Sequence, residues 1–260
     1  MPKTVPFAAF VTLCVIALVA TVALILSVHR RETAVVLRKP LPSRLLPVGR
    51  TAAAGDPAVI WVEMLSDSPR VMLFHNFLGA DECQALIAMA EPRLARSTVQ
   101  ANGLEESRDR TSYTTNLGKS ETLLVRTVER RVVALSGGYP LDNLEPLQVV
   151  RYKPGQFYKP HYDYFPRGKK GTAEALRRGG QRTVTFFIYL NALPDDEPGG
   201  GTSFPKLGLT VRPRLGTALF FSNLLPDGRE DPRVLHSGDT LQHAVKYGLN
   251  AWFRQQAFVL

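Results

Sequence analysis

Apolar and polar positions change rhythm three times along this chain, and each change predicts a different kind of element. From Phe7 to Val28 there are 22 successive residues without a charge. As a helix rising 1.5 Å per residue, that run spans roughly 30 Å, the thickness of a bilayer core. It predicts a transmembrane anchor over residues 7–28. A cleaved signal peptide is the rival reading, although its apolar stretch is ordinarily about 7–15 residues. Residues 29–58 carry Pro40, Pro42, Pro47 and the run Thr51-Ala52-Ala53-Ala54-Gly55 with no sustained period, as expected of a linker or stalk. A folded domain is expected over 59–260.

Inside that domain the first rhythm is helical. Cys83, Leu86, Ile87 and Ala90 share one face of a helix from Ala80 to Met89, and Pro92 stops it. Val125, Val128, Val132 and Leu135 repeat at the same spacing, with Arg126, Glu129 and Arg130 elsewhere on the cylinder and Gly137-Gly138 at the end. After Leu144 the rhythm becomes that of strands. Leu147–Tyr152, Thr183–Leu190, Leu209–Arg212, Thr217–Ser222 and Ala251–Phe258 are rich in Val, Phe, Tyr and Thr and are separated by Gly/Pro turns. The expected fold class is α+β, mainly β: a double-stranded β-helix, or jelly roll, buttressed by helices.

Composition changes this picture little. The chain holds 32 Lys and Arg against 23 Asp and Glu, a net charge of +9. The excess is scattered, with no basic block interleaved with aromatics, so nucleic acid is not an expected partner. Of the two cysteines, Cys14 lies in the apolar run, which leaves Cys83 alone in the domain and excludes an internal disulfide there. Few cations precede the apolar run, whereas Arg30, Arg31, Arg38, Lys39 and Arg44 follow it, a bias toward a cytosolic domain.

Candidate chemistry is concentrated in few residues. His161 and Asp163 are two apart, so on a strand or strand end their side chains point the same way. With one distant histidine they form the two-imidazole, one-carboxylate set that binds non-haem Fe(II) and leaves coordination positions open. His236 follows Val234-Leu235 and precedes Ser237-Gly238, a strand-to-turn context; His243 is the competing candidate. Lys246, ten residues beyond His236, is a cation suited to the far carboxylate of an organic-acid cosubstrate. Together these residues suggest an Fe(II)/2-oxoglutarate oxygenase. His29 flanks the anchor and His75 reads as structural.

A longer set of motifs occurs in a telling order. Met72-Leu73-Phe74-His75-Asn76-Phe77-Leu78, Glu82-Cys83, Ser97-Thr98-Val99 and Arg110-Thr111-Ser112 come first. Leu147 to Tyr152, Gly155-Gln156-Phe157-Tyr158 and His161-Tyr162-Asp163-Tyr164-Phe165 follow, then Gly179-Gly180-Gln181-Arg182, Gly199 to Pro205 and Pro213 to Phe221. From about Trp61 to the C-terminus this order resembles the prolyl 4-hydroxylase family, particularly the plant, algal and collagen-type catalytic domain. The resemblance implies that His161, Asp163 and His236 bind Fe(II). It implies that Lys246 pairs with 2-oxoglutarate, with Thr202 assisting and Tyr152 nearby, and that Tyr158, Arg182 and Trp252 contact a peptide. It further implies O₂ and L-ascorbate as reactants, a proline-rich or collagen-like protein substrate, and an endoplasmic reticulum or Golgi membrane location. That location conflicts with the charge bias, so topology stays open, as does the oligomeric state.

The chain departs from the family pattern in three places. Asp239-Thr240 stands where Cys-Pro is usual, Gly201 where Glu is usual in Gly-Gly-Glu-Thr, and Tyr247 where Trp follows the lysine. None is a metal ligand, but altered loops leave room for another amino-acid side chain or a small molecule as the target. A non-catalytic jelly-roll module that binds peptide is the alternative from a different class.

Overall fold

The computed structural model describes residues 59–97, 108–169 and 171–259. The expected anchor at 7–28 and the linker at 29–58 lie outside the described residues. Among the described residues, no helix is long and apolar enough to cross a membrane.

The order is β1 (Trp61–Asp67), β2 (Arg70–His75), α1 (Ala80–Ala90), β3 (Ala95–Arg96), β4 (Tyr113–Asn116), α2 (Leu123–Leu135), β5 (Gln148–Tyr152) and β6 (Tyr158–His161). Then come α3 (Thr172–Arg177), β7 (Arg182–Tyr189), β8 (Thr202–Phe204), β9 (Leu209–Val211), β10 (Ala218–Ser222), β11 (His236–Gly238) and β12 (Lys246–Arg254). The protein is mostly β. An eight-stranded sheet runs β1-β2-β10-β7-β12-β5-β4-β3, and a four-stranded sheet runs β6-β11-β8-β9.

The helices form where the 3.6-residue period puts them. Cys83, Leu86 and Ala90 of α1 and Val125, Val128 and Val132 of α2 are buried against Phe74, Val149, Phe186, Leu249 and Phe253 of the large sheet. Thr122 caps α2, its hydroxyl accepting from the Val125 N–H at 3.2 Å. Arg131 of α2 donates to both Glu82 carboxylate oxygens at 2.8 and 2.9 Å, which ties the two helices together. Glu129 of α2 is buried, its carboxylate accepting from the backbone and hydroxyl of Ser120.

Both faces of the large sheet are covered, which explains its nearly continuous apolar strands. Along β7, Phe186 and Ile188 face the helices, while Thr185, Phe187 and Tyr189 face the other way. Along β12, Leu249, Ala251 and Phe253 face the helices, and Lys246, Asn250 and Trp252 line a cavity. The expected strand Ala251–Phe258 is corrected to Lys246–Arg254. Pairing with β5 (Lys246↔Tyr152) and β7 (Trp252↔Thr185) selects that segment. The β1–β2 hairpin and the short strands β3, β4 and β8 were not foreseen; the last three are too short to display a period.

One close approach joins the β10 edge to the segment before α1. Gly216 has φ +69°, and a Cβ there would lie 2.0 Å from the Leu78 carbonyl oxygen. Gly216→Ala is expected to destabilise the domain by about 3 kcal/mol or more, combining left-handed strain with a backbone clash. Urea unfolding would measure it, and a midpoint equal to wild type would refute the close approach.

Candidate active site

Strand β6 ends at His161, and the chain turns so that Asp163 enters the space between the two sheets. On β11, His236 pairs in register with His161. Register therefore brings together residues 75 apart in sequence. His161 Nε2 lies 3.7 Å from Asp163 Oδ1, and His236 Nε2 lies 3.8 Å from Asp163 Oδ2. One ligand atom from each residue falls within 4.8 Å of the other two. Bonds of about 2.1 Å to a shared ion put neighbouring donors roughly 3–3.5 Å apart, close to the spacing seen. The donor set fits Fe(II): two borderline nitrogens and one hard oxygen, gathered on one side. His243 is exposed and outside this group, which resolves the competition in favour of His236.

The surroundings prepare all three donors. His161 Nδ1–H donates to the Lys159 carbonyl at 2.9 Å and His236 Nδ1–H to the Val234 carbonyl at 3.0 Å, which leaves each Nε2 lone pair facing Asp163. Asp163 Oδ2 accepts from Thr185 Oγ1 at 2.8 Å and from Trp252 Nε1 at 3.1 Å. Asn223 in turn donates to Thr185 Oγ1 at 2.9 Å. Burial pushes the Asp163 carboxyl upward, but the facing imidazoles, Arg182 and the Thr185 hydroxyl hold it at about 2. Burial foremost, with the adjacent His236 adding to it, pushes the His161 imidazole well below its ordinary value, into the neutral form suited to a metal. Sequence reasoning assigned no role to Thr185 or Asn223. Their signal was a polar residue within, or just after, a strongly apolar strand.

A cavity of about 370 Å³ opens beside the triad, within the range of small-molecule sites. Lys246 stands in its wall, 2% exposed, donating from Nζ to the Gly200 carbonyl at 2.7 Å. The rings of Tyr152, Phe187 and Tyr189 surround the ammonium at 5.3–5.7 Å. Burial among them lowers Lys246 to about 7, and the charge of Asp239 only partly opposes this. Thr202 lines the same cavity and accepts from the Tyr189 hydroxyl at 2.9 Å. Lys246, Tyr152 and Thr202 are thus brought together, and a bound anion would find one cation and two hydroxyl groups here.

Tyr158, Arg182 and Trp252 also line the cavity. Tyr158 stacks on His161 with ring centroids 3.5 Å apart. Arg182 donates to both oxygens of Glu145 at 2.7 and 2.9 Å, and its guanidinium lies 3.7 Å from the Trp252 ring centroid. Arg254 shares Glu145. Glu145, Arg182 and Trp252 therefore form a rigid stack that ends on the Asp163 carboxylate. Trp252 orients the Asp163 carboxylate through its indole N–H, a role sequence reasoning did not foresee.

Residues 147–254 match the model of the 2OG-Fe(II) oxygenase superfamily. The chain is 36% identical over 225 residues to a probable prolyl 4-hydroxylase 3 of Arabidopsis thaliana, covering 78% of this chain and 75% of that one. It is 37% identical over 215 residues to prolyl 4-hydroxylase 1 of the same plant, covering 75% and 72%. Among solved structures, it is similar to a viral collagen prolyl hydroxylase of Paramecium Bursaria Chlorella virus-1 in a 2OG complex. That match has a TM-score of 0.57 and 27% identity over 71% of this chain and 95% of that one. A Pseudomonas putida prolyl-4-hydroxylase shares the fold at a TM-score of 0.50 and 22% identity, over 71% and 92%. With its His-Asp-His donor set between two sheets and these relatives across most of its length, the chain belongs to the prolyl 4-hydroxylase family of 2-oxoglutarate- and Fe(II)-dependent oxygenases.

Proposed function

We propose that this protein is an enzyme that hydroxylates peptidyl proline to 4-hydroxyproline in a proline-rich or collagen-like protein, converting 2-oxoglutarate and O₂ to succinate and CO₂. The observation that carries this reading is the convergence of His161, Asp163 and His236 beside a cavity whose wall holds the buried Lys246. Bound Fe(II) would couple O₂ reduction and 2-oxoglutarate decarboxylation to oxidation of an aliphatic C–H bond. The residues of the chain supply everything else. His161, Asp163 and His236 hold the metal on one side, and Thr185 and Trp252 orient the carboxylate. Lys246, Tyr152 and Thr202 take the distal carboxylate of the cosubstrate. Tyr158, Arg182 and Trp252 form the wall met by the peptide, and the aromatic lining sheds water from the reacting centre. L-Ascorbate is the expected reductant for inactive enzyme.

The two-sheet core fits a double-stranded β-helix, and we assign residues 59–260 to the catalytic domain. We further propose a single membrane-spanning anchor at 7–28 with the domain in the endoplasmic reticulum or Golgi lumen; a C-terminal glycosylation reporter that stays unmodified would overturn that orientation. For the activity, purified protein with Fe(II), 2-oxoglutarate and a panel of proline-rich peptides is expected to release succinate in step with a peptide mass gain of one oxygen at proline. Succinate released without hydroxyproline on any peptide would shift the target to another side chain or a small molecule.

A further inference from the structure

Glu197 sits in the acidic turn Asp195-Asp196-Glu197-Pro198, where a solvated carboxylate is the ordinary expectation. It is instead 2% exposed. Among the described residues it has no cationic side-chain partner for its carboxylate. Four backbone N–H groups surround it: Oε1 accepts from Gly199 at 3.3 Å and Gln242 at 2.8 Å, and Oε2 accepts from His243 at 2.9 Å and Ala244 at 2.7 Å. Convergent backbone amides of this kind form an anion-holding concavity, here filled by the protein's own side chain. Arg212 donates to the Glu197 carbonyl at 2.9 Å, which holds the turn from the other side.

The two segments joined in this way are the two sides of the cosubstrate pocket. Residues 242–244 lead directly into Lys246. Gly199 leads into Gly200, whose carbonyl accepts from Lys246 Nζ, and on to Thr202. The segments touch closely: a Cβ on Gly199 would lie 1.8 Å from the Thr240 carbonyl oxygen. Residues 239–245 belong to neither a helix nor a strand, so without the carboxylate the N–H groups of 242–244 lose their hydrogen-bond partner.

We propose that Glu197 is a positioning residue that sets the place of Lys246 relative to Gly200 and Thr202, and so presets the pocket for 2-oxoglutarate. This inference rests on the reading of that cavity as the cosubstrate site. In the full-length protein, Glu197→Ala is expected to weaken 2-oxoglutarate binding about 10- to 100-fold, the scale of a small misplacement in a site. Calorimetric titration of the cosubstrate into Mn(II)-loaded protein reads this without turnover. In steady state KM for 2-oxoglutarate rises by the same factor, while kcat at saturation and the affinity for Mn(II) stay at wild-type values. Glu197→Gln keeps one acceptor oxygen and is expected to fall between. Gly199→Ala disturbs the same contact without altering the carboxylate and is expected to reproduce the weakening; with Glu197→Gln it decides the matter if Glu197→Ala does not fold. Unchanged cosubstrate affinity in folded variants, or equal losses in metal and cosubstrate affinity, would overturn the proposal. Wild-type protein that binds no 2-oxoglutarate would instead sink the reading of the cavity itself.

Discussion

Asp163→Ala is expected to abolish 2-oxoglutarate turnover, by more than about 100-fold, while the domain stays folded. The carboxylate is the one oxygen donor of the triad, and its removal leaves two imidazoles alone, a poor set for Fe(II). The fold rests elsewhere, on the helix-facing core of the large sheet and on the separate cluster around Phe204 and Phe221. Variants one step further out grade the effect. Thr185→Val and Trp252→Phe each remove one hydrogen bond to Asp163 Oδ2 and are expected to weaken metal binding about 10- to 100-fold. Anaerobic metal titration together with succinate release checks all three. Wild-type turnover by Asp163→Ala at limiting iron would reject the ligand assignment.

The second large effect concerns Lys246. A hydrogen bond to a charged group contributes about 1.5–3 kcal/mol, so Lys246→Ala is expected to raise the 2-oxoglutarate requirement roughly 10- to 100-fold. Its pH dependence has a definite sign. Burial lowers the ammonium to about 7, so above that pH the protein without cosubstrate increasingly holds a neutral amine. A dianionic cosubstrate needs the ammonium, so binding above pH 7 must take up a proton. Apparent affinity then falls about tenfold per pH unit, while kcat at saturation does not follow it. Below pH 7 the ammonium is already formed and the Lys246 contribution levels off. Lys246→Arg keeps its charge at every accessible pH and is expected to flatten the alkaline rise in KM. A flat wild-type profile between pH 7 and 9 would count against this role for Lys246.

Much of the site was legible before any coordinates. His161 and Asp163 are two residues apart, and that spacing alone puts them on one side of an extended chain. Lys246 was identifiable as a candidate because a cation ten residues beyond the distal histidine suits the far carboxylate of an organic acid. The helices were legible because Val125, Val128 and Val132 repeat at the helical period and bury together. The strands were legible only in part. β12 was displaced toward the C-terminus because Lys246, Gly248 and Asn250 do not read as strand residues, yet β5 pairs with all three and β7 with Gly248 and Asn250. β8 and β11 are three residues each, too short for any pattern to accumulate.

Local spacing, residue chemistry and periodicity marked the His161/Asp163 pair, the candidate cation and the two supporting helices, because each depends on a few neighbouring residues. Tertiary structure alone decided how distant segments meet. It set His236 beside His161 by pairing β11 with β6. It turned Trp252 and Thr185 toward the Asp163 carboxylate, gave Arg182 its partner in Glu145, and buried Glu197 under four backbone amides. The physical reason is common to all of these. A buried polar group must find its partner wherever the packed chain places one, and no local pattern records where that is.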